Sequence, residues 1–271
     1  MTILCIETST SVCSAAICKD GVPAKQCIHY EGSNHARLLP LYIDELLHYA
    51  RENGLTIDAV ALSEGPGSYT GLRIGTSTAK GLCYGLNVPL IPVPTLDVLC
   101  EAAKDSLCSV SPQDGLCSVS EAVFIPMIDA RRMEVYTEAY PKQCSTDGHR
   151  QSDRAELFTH ERRGAVAVVV ENEESLYSVS AAVCALSGEA GLSAQRSIFY
   201  FGDGAAKCQA VLTSPNWHYL PNIVPEAQYV GRLAEQIAVH RPPYTVHQLA
   251  YYEPFYLKEF IAAPSHVKGL N

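Results

Sequence analysis

The sequence has little positive charge and none of the usual signs of a secreted or membrane-bound protein. It contains 20 Lys and Arg against 29 Asp and Glu, a formal net charge of −9. Because affinity for a phosphate backbone comes mostly from clustered Lys and Arg, this balance argues against a protein that binds nucleic acid on its own. The first residues lack a basic region, and no apolar stretch reaches the roughly 20 residues of a membrane-spanning helix. We expect a cytoplasmic protein without membrane contact.

Paired cysteines and common catalytic loops are also missing. The 11 cysteines form no C-x-x-C pair, and Cys5, Cys13 and Cys18 lie in apolar runs as small core residues do. The nine histidines form no H-x-x-x-H pair, and no G-x-x-x-x-G-K-[ST] loop is present. The odd number and unpaired spacing of the cysteines favour reduced thiols in a cytosol. With 271 residues, 47% of them hydrophobic, the chain can bury a substantial core.

Strand and helix patterns divide the chain into two halves that echo each other. The buried run at 3–6 leads into a polar tip at 7–11 and a second strand, and the run at 123–128 leads into an acidic turn and the strand at 133–140. A duplicated unit would explain both. We therefore predict two lobes, 1–104 and 105–271, with 105–120 as a linker or exposed loop. A helix near 225–240 is expected to pack back on the first lobe.

A glycine-rich turn, Gly-Pro-Gly-Ser-Tyr-Thr-Gly at 65–71, separates a buried strand from a helix. Its backbone N–H groups could hold a phosphate, since a helix start favours anions. Alternatively, it launches a helix on which small residues recur every fourth position from Gly71 to Cys83, a smooth face that another helix can approach. We favour the packing or interface role, because Lys80 lies too far from Gly71 to act as a P-loop lysine.

Several segments together resemble one family. Ile-Glu-Thr-Ser at 6–9, Asn-His-Ala-Arg-Leu-Leu-Pro at 34–40, the stretch 65–75 and Ile-Asp-Ala-Arg-Arg-Met-Glu-Val-Tyr at 128–136 are similar to the TsaB (YeaZ) family. That family contains non-catalytic relatives of TsaD in the glycoprotease-like M22 group. The resemblance is strong to residue 136, weak at 142–196, and moderate at 201–205 and 251–260. It implies an α/β fold of two actin/Hsp70-like (ASKHA) lobes with duplicated ribonuclease-H-like halves.

The resemblance also implies a function. Such a chain is a scaffold that binds TsaD, and TsaE through the complex, for threonylcarbamoyl transfer to the adenosine next to the anticodon in tRNA. It contacts tRNA only through the complex and forms a homodimer when alone. The partner would bind the helices at about 35–53 and 71–86. The implied interface residues are His35, Leu39, Ile43, Gly71, Gly75, Ala79 and Cys83.

Two places decide between a scaffold and an enzyme. Where TsaD carries an H-x-x-x-H metal pair, this chain has Thr95-Leu96-Asp97-Val98-Leu99, so no metal site and no catalytic residue is expected. Where related ATPases usually carry an Asp at the hairpin tip, this chain has Glu7, and this longer acid would displace a metal-bound water, which favours a vestigial site. No cofactor would be required, although ADP or ATP could lie at the partner interface. The candidate cofactor-binding residues are Glu7, Thr8, Ser9, Arg131, Gly202 and Gly204. The alternative is an independent nucleotide-binding ATPase or kinase, or a glycoprotease-like peptidase.

Overall fold

The first half of the chain alternates strands and helices around one sheet, and the second half is built around another. A computed structural model describes residues 1–32, 34–109, 122–141, 165–176 and 197–258. The first half contains β1 (Thr2–Glu7), β2 (Cys13–Lys19), β3 (Val22–His29), α1 (His35–Glu52), β4 (Ala59–Gly65), α2 (Tyr69–Leu86), β5 (Leu90–Pro94) and α3 (Thr95–Ser109). The second contains β6 (Val123–Asp129), β7 (Glu134–Thr137), β8 (Tyr140–Pro141), β9 (Val166–Val169), β10 (Ile198–Phe201), β11 (Trp217–Leu220) and α4 (Ala227–His240). Short 3-10 helices lie at Ala206–Cys208 and Val246–Tyr251.

The two sheets repeat one strand order. The first runs β3-β2-β1-β4-β5, with β1–β2 and β2–β3 antiparallel and β1–β4 and β4–β5 parallel. The second runs β9-β7-β6-β10-β11 with the same directions, and β8 also pairs with β6. Because each pairing of one sheet has its counterpart in the other, the two halves are copies of one unit. The predicted two-lobe α/β fold is confirmed.

Strand β1 lies at the centre of the first sheet and is covered on both faces. All six of its residues are buried, as expected for a strand with helices on both sides. Its Leu4 and Ile6 face α1 and α2, where the apolar stripe of α1, including Leu39 and Leu46, fills the space beneath the helix. Its Ile3 and Cys5 face the other way, towards the second lobe. The first hairpin tip, at the carboxyl end of β1, is therefore held from both sides.

Helices α3 and α4 lie between the sheets and join the lobes. One core cluster combines Cys5 of the first sheet with Phe124 of the second, Leu99 of α3 and Val230 of α4. Although α4 follows the last strand of the second sheet, it packs on β1, β2 and β3 of the first. The helix expected near 225–240 thus forms at Ala227–His240 and lies against the first lobe.

The predicted boundary at residue 104 falls inside a helix. Residues 105–109, expected to be linker, continue α3 to Ser109, because Leu107 still packs into the core between the lobes. The rest of that predicted loop, at 110–120, lies outside the described residues, as do 142–164 and 177–196 of the weakly matching stretch. Within the described ranges, every helix is too short or too polar to pass through a lipid bilayer.

Candidate functional site

The first hairpin tip is buried, and its polar groups bond within the chain. The Glu7 carboxylate accepts hydrogen bonds from the Ser9 backbone N–H at 2.6 Å, from the Ser9 hydroxyl at 2.5 Å and from the Ser63 hydroxyl. The Thr8 hydroxyl donates to the Gly71 carbonyl at 2.8 Å. Burial raises the pKa of Glu7, and the hydrogen bonds from Ser63 and Ser9 oppose that rise. Glu7 and Thr8 therefore fasten the tip to β4 and to α2.

The glycine-rich segment fits against this tip, with a glycine at each close approach. A Cβ on Gly67 would come within 3.0 Å of the Ser9 carbonyl, and one on Gly71 would do the same at the Thr8 carbonyl. Real Cβ atoms essentially never show such a separation. The Ser68 backbone N–H also donates to the Ser9 carbonyl, at 2.6 Å. The glycine-rich segment therefore packs on the first hairpin tip, because the backbone of that tip lies directly against Gly67 and Gly71 and accepts the hydrogen bond from Ser68.

The second lobe repeats this arrangement at its own hairpin. Gly202, with a φ of +106°, lies against the backbone of Met127, and a Cβ there would overlap the Met127 carbonyl. Gly204 lies against Ile128 and Asp129, and its backbone N–H donates to the Met127 carbonyl at 3.0 Å. These two glycines thus seat the turn after β10 on the end of β6, as Gly67 and Gly71 do in the first lobe.

Charged groups at the second hairpin are mostly engaged with each other. The Asp203 carboxylate accepts from the Asp129 backbone N–H at 3.0 Å, and the Lys207 ammonium forms an ion pair with Asp129. Burial raises the pKa of Asp203, and the negative charge of Asp203 contributes to the raised pKa of Glu7. Arg131 is exposed, with a left-handed φ of +71°.

The residues between the two tips do not fit a nucleotide phosphate. The negative charge of Asp203, in the second tip, contributes to the raised pKa of Glu7 in the first, so both tips carry an acid in this region. The amide and hydroxyl of Ser9, and the hydroxyl of Thr8, already donate within the chain. A phosphate would need those donors and would be repelled by the acids.

The segment that stands in place of an H-x-x-x-H metal pair is built into the interior. Thr95 is fully buried and its hydroxyl oxygen accepts from the Gly65 backbone N–H at 3.2 Å, while Leu99 belongs to the core between the lobes. Asp97 accepts from the Tyr140 hydroxyl at 2.6 Å, which links α3 to β8. Burial raises the pKa of Asp97 to about 6. Thr95 and Leu99 therefore act as structural residues here, and neither supplies a nitrogen ligand.

The seven residues expected at the partner interface are buried inside the chain, so their part in binding a partner stays a prediction. The His35 ring nitrogen Nε2 bonds the Thr10 carbonyl at 2.8 Å. A Cβ on Gly75 would come within 3.0 Å of the Thr8 hydroxyl. The close approach that the small residues allow is thus used by β1 and its tip. The buried residues are His35, Leu39, Ile43, Gly71, Gly75, Ala79 and Cys83.

A different face of α1 and α2 is open to solvent. Beside it, Gly81 and Gly85 are exposed, and a Cβ on either would have no heavy atom within 4 Å. Together with Ser77 they form a second row of small residues at four-residue spacing. A groove of about 340 Å³ lies between the two helices and is lined by Ala36, Pro40, Arg73, Ile74, Ser77 and Thr78. We call this groove, together with the row of small residues, the α1–α2 face.

A segment near the end of the chain connects this region with the second lobe. We call residues 252–258 the strap. The Phe255 backbone N–H donates to the Glu64 carbonyl at 2.7 Å, and the Phe255 carbonyl lies against Gly65, which has no Cβ and a φ of +114°. Further along, the Tyr256 ring lies 4.8 Å from that of Tyr69, and Lys258 forms an ion pair with Glu134 of β7. The strap therefore runs from β4 and α2 to the second hairpin.

Comparison with known proteins gives consistent matches. The family model described as TsaD, tRNA N6-adenosine threonylcarbamoyltransferase, matches residues 30–156. The tRNA threonylcarbamoyladenosine biosynthesis protein TsaB of Haemophilus influenzae is 34% identical over 136 residues, 50% of this chain and 52% of that protein. Its counterpart from Escherichia coli is 33% identical over 165 residues, 60% of this chain and 66% of that protein. The matched part thus spans between about half and two thirds of these relatives.

A solved structure extends the likeness to the whole fold. It is a Pseudomonas aeruginosa protein described as uncharacterized, with similarity to peptidase YEAZ. The TM-score is 0.65 at 21% identity, and the alignment covers 95% of this chain and 99% of that one. At this level of identity the likeness concerns the fold, and it includes both lobes.

Proposed function

Since this chain belongs to the TsaB (YeaZ) family, we propose that it is a non-catalytic scaffold subunit that binds the transferase TsaD. The names of its relatives connect them with tRNA threonylcarbamoyladenosine biosynthesis. In the proposed complex, which includes TsaE, a threonylcarbamoyl group is transferred to the adenosine next to the anticodon. The chain provides a docking surface in the cytoplasm, and tRNA is bound by the assembled complex.

The α1–α2 face is the observation that carries this proposal. An exposed glycine in a helix interior costs about 1 kcal/mol relative to Ala, and Gly81 has no described neighbour that requires the absence of a side chain. Gly85, in the last turn of the helix, has none either. A glycine on a helix surface lets another backbone approach closely. Leu41 and Tyr84, which are 61% and 79% exposed, add apolar area on the same two helices. Together these features suit a partner helix.

The interior of the chain supports a role without catalysis. The position of the metal pair of TsaD holds the buried residues Thr95 and Leu99, and the hydroxyls of Thr8 and Ser9 in the first tip donate within the fold. We therefore propose that the chain supplies no catalytic residue and requires no cofactor. ADP or ATP at the partner interface stays a prediction, as does a homodimer that uses the same α1–α2 face when TsaD is absent.

The docking surface can be tested with one substitution and a matched control. Gly81→Arg places a long side chain on the α1–α2 face without a clash inside the chain, whereas Val239→Arg adds the same group at a residue of α4 that is 77% exposed. Gly75 is unsuitable for this purpose, because a side chain there would strike Thr8. Binding to purified TsaD would be measured by titration calorimetry, with circular dichroism as the check on folding.

We expect Gly81→Arg to abolish TsaD binding and Val239→Arg to leave it unchanged, with both variants folded. Undiminished binding by Gly81→Arg would move the interface elsewhere. The alternative of an independent enzyme is tested on the isolated wild-type chain with ATP and with a peptide substrate. Turnover of ATP or peptide by the wild-type chain that is lost in Thr8→Ala would contradict the scaffold proposal and show that the chain is an enzyme.

A further inference from the structure

The loop between β6 and β7 holds two consecutive arginines in the left-handed region of backbone space. Arg131 has a φ of +71° and Arg132 a φ of +53°. The loop is closed by hydrogen bonds from the Ala130 N–H to the Glu134 carbonyl, at 3.0 Å, and from the Glu134 N–H to the Arg131 carbonyl, at 3.1 Å. This conformation costs an ordinary residue about 1–2 kcal/mol, and tight hairpins favour Asn and Gly there. Local stability therefore does not explain the Arg-Arg pair.

Lysines pair with two of the three acids around this loop, and the third, Asp203, accepts a hydrogen bond from the Asp129 backbone N–H. Lys207 pairs with Asp129 and also donates to the Glu134 carbonyl at 2.7 Å. Lys258, brought by the strap, pairs with Glu134. Among the described residues, neither Arg131 nor Arg132 has a carboxylate partner, and both are exposed. The loop is a local positive site on a chain whose net charge is −9.

We propose that Arg131 and Arg132 contact the phosphodiester backbone of RNA, as one edge of the tRNA-binding surface of the assembled complex. This inference rests on the proposed function. A guanidinium group presents a fork of N–H donors that matches phosphate, and a phosphate contact needs no base recognition. The supporting contacts of Lys207 and Lys258 hold the hairpin, and within the described part of the chain no carboxylate pairs with either arginine.

The same loop suits a protein partner less well. Protein interfaces centre on clusters of buried apolar and aromatic anchors, beside which arginines also occur. The only large apolar side chain of the described loop is Met133, which is 37% exposed beside the two arginines. Two phosphate contacts are also too few to hold RNA on an acidic chain, so binding requires the complex.

The test uses a variant that improves the loop while it removes the charge. Arg131→Asn with Arg132→Gly supplies the residues that the left-handed turn favours, so this double variant should fold and should unfold at a higher temperature. Lys19→Ala with Arg51→Ala removes the same charge from two exposed positions outside the loop. Each chain is assembled with TsaD and TsaE. An unmodified tRNA transcript is then titrated at several salt concentrations, and assembly is measured separately without RNA.

We expect the loop variant to weaken tRNA binding roughly tenfold or more near 0.1 M salt and to reduce the slope of log K against log salt by about 1.4–1.8, the share of two phosphate contacts. The control should change the slope by much less. Equal slopes for the loop variant and wild type would overturn the inference, and so would weaker assembly of the loop variant without RNA, which would assign the arginines to a protein partner. If the wild-type chain does not assemble with TsaD, the proposed function fails, and this inference fails with it.

Discussion

Two glycines on the same helix should respond in opposite ways to the same added methyl group. A Cβ on Gly75 would lie within 3.0 Å of the Thr8 hydroxyl oxygen, whereas a Cβ on Gly81 would meet nothing within 4 Å. Gly81→Ala should raise the free energy of unfolding by about 0.5–1 kcal/mol, the ordinary gain of Ala over Gly in a helix. Gly75→Ala gains the same propensity but overpacks the contact with the tip, which typically costs about 1–3 kcal/mol.

Removal of the obstructing oxygen should rescue the inner glycine variant. In Thr8→Ala the nearest remaining atoms to a Cβ on Gly75 are the Thr8 Cβ at 3.6 Å and Ile6 Cγ2 at 3.7 Å, which are ordinary contacts. Thr8→Ala alone loses the hydrogen bond to the Gly71 carbonyl, a net cost of about 0.5–1.5 kcal/mol. The double variant should therefore be more stable than the sum of the two single effects by at least about 1 kcal/mol.

Urea unfolding, followed by circular dichroism at an unchanged m-value, measures all four chains. Additive effects of Thr8→Ala and Gly75→Ala would refute the argument, because they would mean that the tip does not touch α2 at this point. Equal effects at Gly75 and Gly81 would refute it as well, since they would place both rows of small residues in the same environment.

Three further outcomes follow from the site. Asp97 has a pKa of about 6 in the fold against an ordinary value of 3.8, so the free energy of unfolding should fall as the pH rises through this window. Asp97→Asn should flatten that fall and raise the free energy of unfolding by up to about 3 kcal/mol at pH values above the window. Urea midpoints measured as a function of pH would show this. Gly65→Ala should cost more than about 2 kcal/mol in urea unfolding, because of its φ of +114° and its contact with the Phe255 carbonyl, and Gly85→Ala, with no such contact, is the control. Mg²⁺ with ATP should leave the melting temperature of the isolated chain unchanged, and a rise that grows with ATP concentration would contradict the assignment of the first tip.

Local patterns carried much of the fold. The helix expected from 35 begins at His35, because its apolar residues recur at helical spacing, and the strand, tip and strand at the start form as expected. The repeated pattern at 123–140 led to the second lobe for the same reason. Each of these signals lies within a window of about 20 residues, where periodicity is informative.

The orientation of α2 could not be obtained in that way. Small residues at four-residue spacing form two rows on this helix, one through Gly71 and Gly75 and the other through Gly81 and Gly85. Spacing alone does not distinguish a row that packs on the chain's own β1 from one that faces outward. The first row includes Ala79 and Cys83, both fully buried, whereas the second includes Ser77, which is exposed. The polar residue Ser77 was therefore the one feature of the sequence that could have indicated which row faces solvent.

The strap was missed for a different reason. Its contacts join Phe255 to Glu64 and Lys258 to Glu134, which are far apart in sequence. No local pattern marks such contacts, and the requirement for glycine at position 65 becomes clear only once the Phe255 carbonyl is seen beside it. Long-range backbone contacts of this kind are the part of the site that sequence reasoning could not supply.

The position of α4 on the first sheet has a consequence for synthesis of the protein. Strands β1 and β2 leave the ribosome early, but the helix that covers one of their faces follows roughly 200 residues later. At about 5–20 residues per second this interval lasts on the order of 10–40 s. During translation, the side of the sheet that carries Cys5 and Cys18 stays exposed until α4 is synthesised. The first lobe therefore completes its packing only after most of the second lobe has been made.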